Sequence, residues 1–312
     1  MHGLSIIIPL YNKASTIEST LESAFAQTYS NFEVIVVDDG STDDSVKRLE
    51  PFKNKITFIS QNQKGPSAAR NLGAKYAKYS VLAFLDADDY IAENFVETHM
   101  LARQSHPQVQ LSMNSFDVLD ENALQRRELL FERCPLIPQK DQFYLLTGFD
   151  TKFVSNIHSS GFCVNKEVFD LCTGFDENLR CWEITDALSR FSIAAEHKAI
   201  INEILSYKFE GDPKNSQFNR ERNNLDELRN YCRNIIRYLP DINGRSKKLY
   251  FSILYDLCIM LWQSRRWLEM AYFYHITKTL SDSELYFSPH PKIWITARFI
   301  GLFKFTKKIS DC

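Results

Sequence analysis

Three carboxylates, Asp86, Asp88 and Asp89, crowd the end of the apolar run Val81–Leu85 in the stretch VLAFLDADDYI. Like charges this close repel one another, and partial burial adds to the cost. A divalent cation removes both penalties. Mg2+ and Mn2+ take oxygen ligands and commonly bind one or two carboxylates together with substrate phosphate oxygens. Asp86 and Asp88, one residue apart on a tight turn, therefore read as half of a cation site that a diphosphate completes. A solvated acidic turn is the plain alternative.

Other residues with useful chemistry stand at comparable places. Asp38 and Asp39 close the run FEVIVVDD, and Asp39 can accept an N–H from the edge of a nucleobase. Gly65 opens GPSAARNLGA and allows backbone to approach a ligand. Arg70, in the same segment, carries a planar fork suited to phosphate or carboxylate. Each has a structural counterpart: Ser41 or Asp43 capping a helix, and Arg70 pairing with a surface acid.

These residues need elements to hold them. LSIIIPL (4–10) is a continuous β-branched run typical of a strand buried on both faces, FEVIVVDD (32–39) is a second such run, and ITFIS (56–60) and VLAFLD (81–86) read as a third and a fourth strand. Helical segments alternate with them, the first from about Ser15, with Glu18 in capping-box spacing. Gly40 turns the chain into a short helix, and Pro66 suits the first position of another. The β-α-β alternation predicts an α/β fold with a mostly parallel central sheet flanked by helices. Ligands bind such sheets at the carboxyl ends of the strands, where Asp38, Asp39, Asp86 and Asp88 fall. Farther on, 109–118 reads as a strand, 139–147 as a helix, SSGFCVNKEVF as a strand and short helix, 181–197 as a helix, and AIINEILSYKF as a strand.

SIIIPLYNK, VIVVDDGSTD, GPSAARNLGA and FLDADD occur in this order at strand ends. Together they resemble the family-2 glycosyltransferases, inverting sugar-nucleotide enzymes of the GT-A fold. The resemblance is strong over roughly residues 3–118 and weaker over 155–210. It implies that Pro9, Tyr11 and Asn12 line a nucleotide pocket and that Asp39 contacts the base. It also implies that Gly65 and Arg70 lie near the nucleotide, that Asp86 meets the ribose and that Asp88 binds Mn2+ or Mg2+. Implied partners are a nucleotide-sugar donor and a glycan or lipid-linked acceptor, in surface polysaccharide synthesis.

Beyond residue 150 the resemblance departs from its pattern. TGFDENL (173–179) fits, and WEITDALSR (182–190) fits in outline, but Ile184 stands where the family places an aspartate as general base. An inverting transfer needs a group to take the acceptor's proton. Glu183 and Asp186 are the two candidates, one helical turn apart on one side. Asp186 can equally pair with Arg190 in i,i+4 spacing. His158, in SNIHSSGF, is a further polar residue on the acceptor side. The remaining reading is a protein that binds sugar nucleotide without turnover. A phospho-accepting signalling domain, suggested by VVDDGS, lacks a suitably placed Lys late in the sheet.

Residues 1–210 thus read as a GT-A-like domain, with a nucleotide half (1–118) and an acceptor half (119–210). The polar segment 210–224 leads to a helical C-terminal region, 225–312. Its tail, KIWITARFIGLFKFTKKI, mixes aromatics with lysines in a way that suits a membrane interface. A formal net charge of −2 argues against nucleic acid as a partner. Seven Cys without a Cys-x-x-Cys pair suggest reduced thiols, and no basic leader precedes the first apolar run. The expected location is cytoplasmic, peripheral on the inner membrane face.

Overall fold

A computed structural model describes residues 3–119, 143–147, 158–180 and 182–209. The chain divides into two compact units, Met1–Asn234 and Ile235–Cys312, and every described residue belongs to the first. The helical region expected over 225–312, its basic aromatic tail and most of 119–157 lie outside the described residues. No helix among those described is long and apolar enough to cross a membrane.

In chain order the elements are β1 (Leu4–Leu10), α1 (Ile17–Phe25), β2 (Phe32–Asp38), a 3-10 segment (Lys47–Phe52) and β3 (Ile56–Ser60). Then come α2 (Pro66–Tyr76), β4 (Val81–Phe84), β5 (Tyr90–Ile91), α3 (Phe95–Ser105), β6 (Leu111–Leu119) and β7 (Phe143–Thr147). The last are β8 (Phe162–Asn165), α4 (Lys166–Leu171), α5 (Glu183–Ala194) and β9 (His197–Phe209). One sheet runs in the order β3-β2-β1-β4-β8-β6-β9-β5, with β7 paired to β9. β3, β2, β1 and β4 are mutually parallel, as are β6 and β9. β8 is antiparallel to both β4 and β6 and joins the two sets. The α/β architecture with a mostly parallel, helix-flanked sheet is the expected one.

The apolar runs behave as two-faced strands. Ile6 and Ile8 of β1, Val34 and Val36 of β2 and Ala83 of β4 enter one core with Leu21 of α1. The alternate residues Ile7, Ile35, Val37, Leu82 and Phe84 enter the other, with Ala69 of α2 and Phe162, Phe175 and Phe191. Strict alternation of Cβ directions produces this split. α2 lies so close to β1 that a Cβ on Gly73 would meet Ile7 Cγ2 at 2.4 Å.

Three local readings change. The segment after Gly40 forms a 3-10 turn containing Pro51, which lacks the N–H an α-helix would use there. α1 starts at Ile17, not at a Ser15 cap, and its N-cap Thr16 makes no capping bond. Residues 143–147, expected within a helix, form strand β7, Phe143 to Thr147 pairing antiparallel with Ile201 to His197. Phe, Tyr, Leu and Thr suit a pleated surface, and a long partner strand overrides weak local periodicity.

Candidate active site at the sheet's carboxyl edge

The β1–α1 loop is laced to the segment after β2. Asn12, at φ 51°, takes a left-handed conformation that asparagine tolerates better than most residues. Its side-chain oxygen accepts the N–H of Thr42 at 2.8 Å, and its own N–H donates to Ser41 Oγ at 3.1 Å. Lys13 N donates to Ser45 Oγ at 2.7 Å, and Ala14 N to Asp43 Oδ2 at 3.1 Å. Ser41 and Asp43 thus serve this loop. Tyr11 is exposed beside it.

Asp39 is buried, and its carboxylate accepts three bonds: from Gln61 Nε2 at 2.7 Å, Lys64 N at 2.7 Å and Gly65 N at 2.8 Å. The carboxylate expected to face a nucleobase therefore also fixes the turn that opens α2. Gly65 sits in that turn at φ 98°, with open space where a Cβ would stand. Its glycine is required by backbone conformation.

The acidic turn is held from two sides. Below it, the hydroxyls of Thr16 and Thr20 both donate to the carbonyl of Ala87, at 2.9 and 3.1 Å. This bond takes the Thr16 hydroxyl away from its own helix. Beside it, Ser159 Oγ donates to Asp86 Oδ2 at 2.5 Å, and Ser160 Oγ to Asp89 Oδ2 at 2.6 Å. Asp86 N in turn donates to Ser160 Oγ at 3.1 Å. His158 Nδ1 lies 3.0 Å from Asp89 Oδ2, with its ring against Phe116.

Arg70 links this turn to α5. Its side chain is 3% exposed; Nη2 donates to Asp86 Oδ1 at 2.6 Å and Nη1 to Glu183 Oε1 at 3.4 Å. The guanidinium lies over the ring of Phe175, 5.4 Å from its centroid. Burial alone would raise the Asp86 pKa, but Arg70, His158 and the Ser159 bond reverse this and hold it at about 2. For Glu183 burial wins: its pKa is raised, with Arg70 offsetting part of the shift. Burial also raises Asp89, against the pull of His158. Burial would lower His158, yet Asp89 carries it the other way, above its ordinary value.

Asp88 differs from its neighbours. It is 30% exposed at the rim and ion-paired with the ammonium of Lys13. Asp86, Asp89 and His158 bring three donor atoms within 4.8 Å of one another. Carboxylate oxygens suit Mn2+ or Mg2+, so the acids of the turn fit a hard divalent cation, while the imidazole adds nothing to that fit. Asp88 offers the open carboxylate, whereas Asp89 is 2% exposed.

The two candidate bases separate. Glu183 opens α5, 15% exposed, within the Arg70–Asp86 cluster. Asp186 is buried, accepting from Arg190 Nε at 2.9 Å and Nη2 at 2.6 Å. Arg190 also donates to the carbonyls of Cys172 and Gly174. That pair ties α5 to the α4 end. Ile184 packs against the second core. Sequence reasoning gave no role to Lys13, Thr16, Thr20, Ser159 or Ser160. HSSG directly before β8 was the one available signal; the others act on residues about 70 positions away.

A family model described as Glycosyl transferase family 2 matches residues 5–170, more than half of the chain. Over 92 residues the chain is 48% identical to the UDP-Glc:alpha-D-GlcNAc-diphosphoundecaprenol beta-1,3-glucosyltransferase WfaP of Escherichia coli, covering 29% of this chain and 37% of WfaP. Matches to the curated relatives span between 14% and 40% of those proteins' length. Among solved structures, S. aureus TarS 1-349 in complex with UDP-GlcNAc aligns with a TM-score of 0.61 at 17% identity, over 95% of this chain and 79% of that one. Mannosyltransferase PcManGT from Pyrobaculum calidifontis, in complex with GDP-Man and Mn2+, aligns with a TM-score of 0.57 at 14% identity, over 99% and 83%. At these identities the likeness is one of fold, here of GT-A type.

Proposed function

This chain belongs to glycosyl transferase family 2, and we propose that it moves a sugar from a nucleotide-sugar donor to a hydroxyl of a glycan or lipid-linked acceptor, with inversion. The observation that carries the reading is the buried Arg70 joining Asp86 to Glu183, with Asp39 and Asp88 following β2 and β4 at the same carboxyl edge of the sheet. Function is argued from this site, because a fold alone hosts many activities.

In this reading the nucleoside lies along Pro9, Tyr11 and Asn12, with Asp39 and Gly65 at the base and Asp86 at the ribose. Arg70 keeps Asp86 ionised and in place. A divalent cation held by Asp88, Mn2+ or Mg2+, would supply positive charge against the leaving diphosphate. Glu183 serves as base. The acceptor oxygen bonds to the anomeric carbon as the bond to the diphosphate oxygen breaks. The hydroxyl proton goes to Glu183, and the electron pair leaves with the diphosphate. A raised pKa makes Glu183 a stronger base than a free glutamate. Asp186, the other candidate, is committed to Arg190. UDP as the nucleotide and a diphospholipid acceptor are supported by WfaP, and UDP-GlcNAc by TarS. The C-terminal tail would meet the inner membrane face, where surface polysaccharide is assembled on lipid.

Ile184, partly buried against the core at the place of the usual aspartate, favours a second reading: sugar-nucleotide binding without turnover. Titration with UDP- and GDP-sugars, with and without Mn2+, followed by an assay of donor hydrolysis and transfer, separates the two. Under the first reading Glu183→Gln binds donor like wild type and loses about 100-fold or more in turnover. Wild-type binding with no turnover, unaltered by Glu183→Gln, establishes the second.

A further inference from the structure

Lys13 has no part in the reading above. Its backbone is fixed on both sides: the N–H donates to Ser45 Oγ, and the carbonyl accepts from Thr16 N at 3.1 Å and Ile17 N at 3.0 Å. Its side chain is 41% exposed and crosses the rim of the sheet to the Asp88 carboxylate. An ion pair this open contributes little to folding, so stability does not account for it. The partner, Asp88, is the most open acid of the turn, 30% exposed against 25% for Asp86 and 2% for Asp89. Asp86 and Asp89, by contrast, are satisfied by Arg70, His158 and the two serines.

The Lys13 ammonium occupies Asp88 Oδ2, and a divalent cation taking that same oxygen would compete with it and repel it at contact distance. A cation taking Asp88 therefore displaces the Lys13 ammonium. Four methylenes on an anchored backbone let that ammonium swing only a short way. A diphosphate oxygen on a cation held at Asp88 would stand next to the place the ammonium leaves. Lysine is a common point-charge ligand for phosphate.

We propose that Lys13 is a diphosphate-binding residue of the donor site. It neutralises Asp88 before the donor arrives, then passes its ammonium to a non-bridging oxygen of the donor diphosphate when the cation takes Asp88. The proposal rests on the donor-site reading given above.

The test measures binding of UDP with Mn2+, and of Mn2+ alone, to wild type, Lys13→Met and Lys13→Arg by calorimetry and Mn2+ spin resonance. Lys13→Met is expected to weaken UDP about tenfold and to bind Mn2+ alone more tightly, since its competitor is gone. Lys13→Arg restores most of the UDP affinity, and all three melt together because the side chain is open. A wild type that binds UDP while Lys13→Met binds it equally overturns the Lys13 proposal alone. A wild type that binds no nucleoside diphosphate overturns the donor-site reading with it.

Discussion

Arg70 Nη2 donates to Asp86 Oδ1 at 2.6 Å from a side chain that is almost wholly buried, and the same guanidinium reaches Glu183. One cation thus holds two acids from elements about a hundred residues apart. Arg70→Met leaves both carboxylates without it, a loss of about 3–5 kcal/mol in stability. The deficit relative to wild type shrinks as pH falls and the stranded acids protonate. Urea melts at pH 7.5 and pH 5 check both the size and the direction.

Asp86 gives the opposite sign in the intact protein. Its folded pKa of about 2 lies below the ordinary carboxylate value, so its ionised form stabilises the fold above about pH 4. That contribution is lost as pH falls from about 4 toward 2. The stability gap between wild type and Asp86→Asn therefore narrows across this window in acid denaturation series.

Glu183 should set the acid limb of the activity profile. A base works only when deprotonated, and burial has raised this pKa. Activity is expected to fall as pH drops through a value above that of a free glutamate. The limb vanishes in Glu183→Gln. Asp186→Asn has another effect: it removes the carboxylate that balances the charge of buried Arg190 and lowers stability by about 3 kcal/mol, seen in thermal melts.

Asp88→Ala should leave the fold intact, since the residue is partly open and its one ion pair is exposed. Stability changes by less than about 1 kcal/mol, while Mn2+-dependent binding of UDP disappears from calorimetric titrations. Collapse of the fold instead would make the acidic turn structural.

Thr16→Val and Thr20→Val remove the hydroxyls that hold the Ala87 carbonyl. Each is expected to cost about 1 kcal/mol, and the double variant should also weaken UDP, because the turn bearing Asp86 and Asp88 loses its lower support. Melting curves and UDP titration report the two effects separately.

What could be read from the sequence follows from how local each cause is. β1, β2 and β4 were legible because burial on both faces writes an unbroken apolar run. The Asp186–Arg190 pair was legible as a one-turn spacing. β7 was not, because only its partner β9, more than 50 residues on, makes it a strand. The acids of the site were visible at strand ends, but their partners were not. Lys13 meets Asp88 and Ser159 meets Asp86 across more than 70 residues of chain, distances over which no periodicity speaks.

The two-sided strands carry a final consequence. When both faces of β1 are greasy, sliding it by one residue exposes nothing to water, so hydrophobicity does not choose the alignment. Side-chain shape must choose it, aided by the few polar pegs available. Ser5 Oγ on Glu33 at 2.8 Å, directly across the β1–β2 register, is such a peg. A chain stripped of such pegs would keep its oil and lose its ruler, and with it the placement of every acid beyond the strand ends.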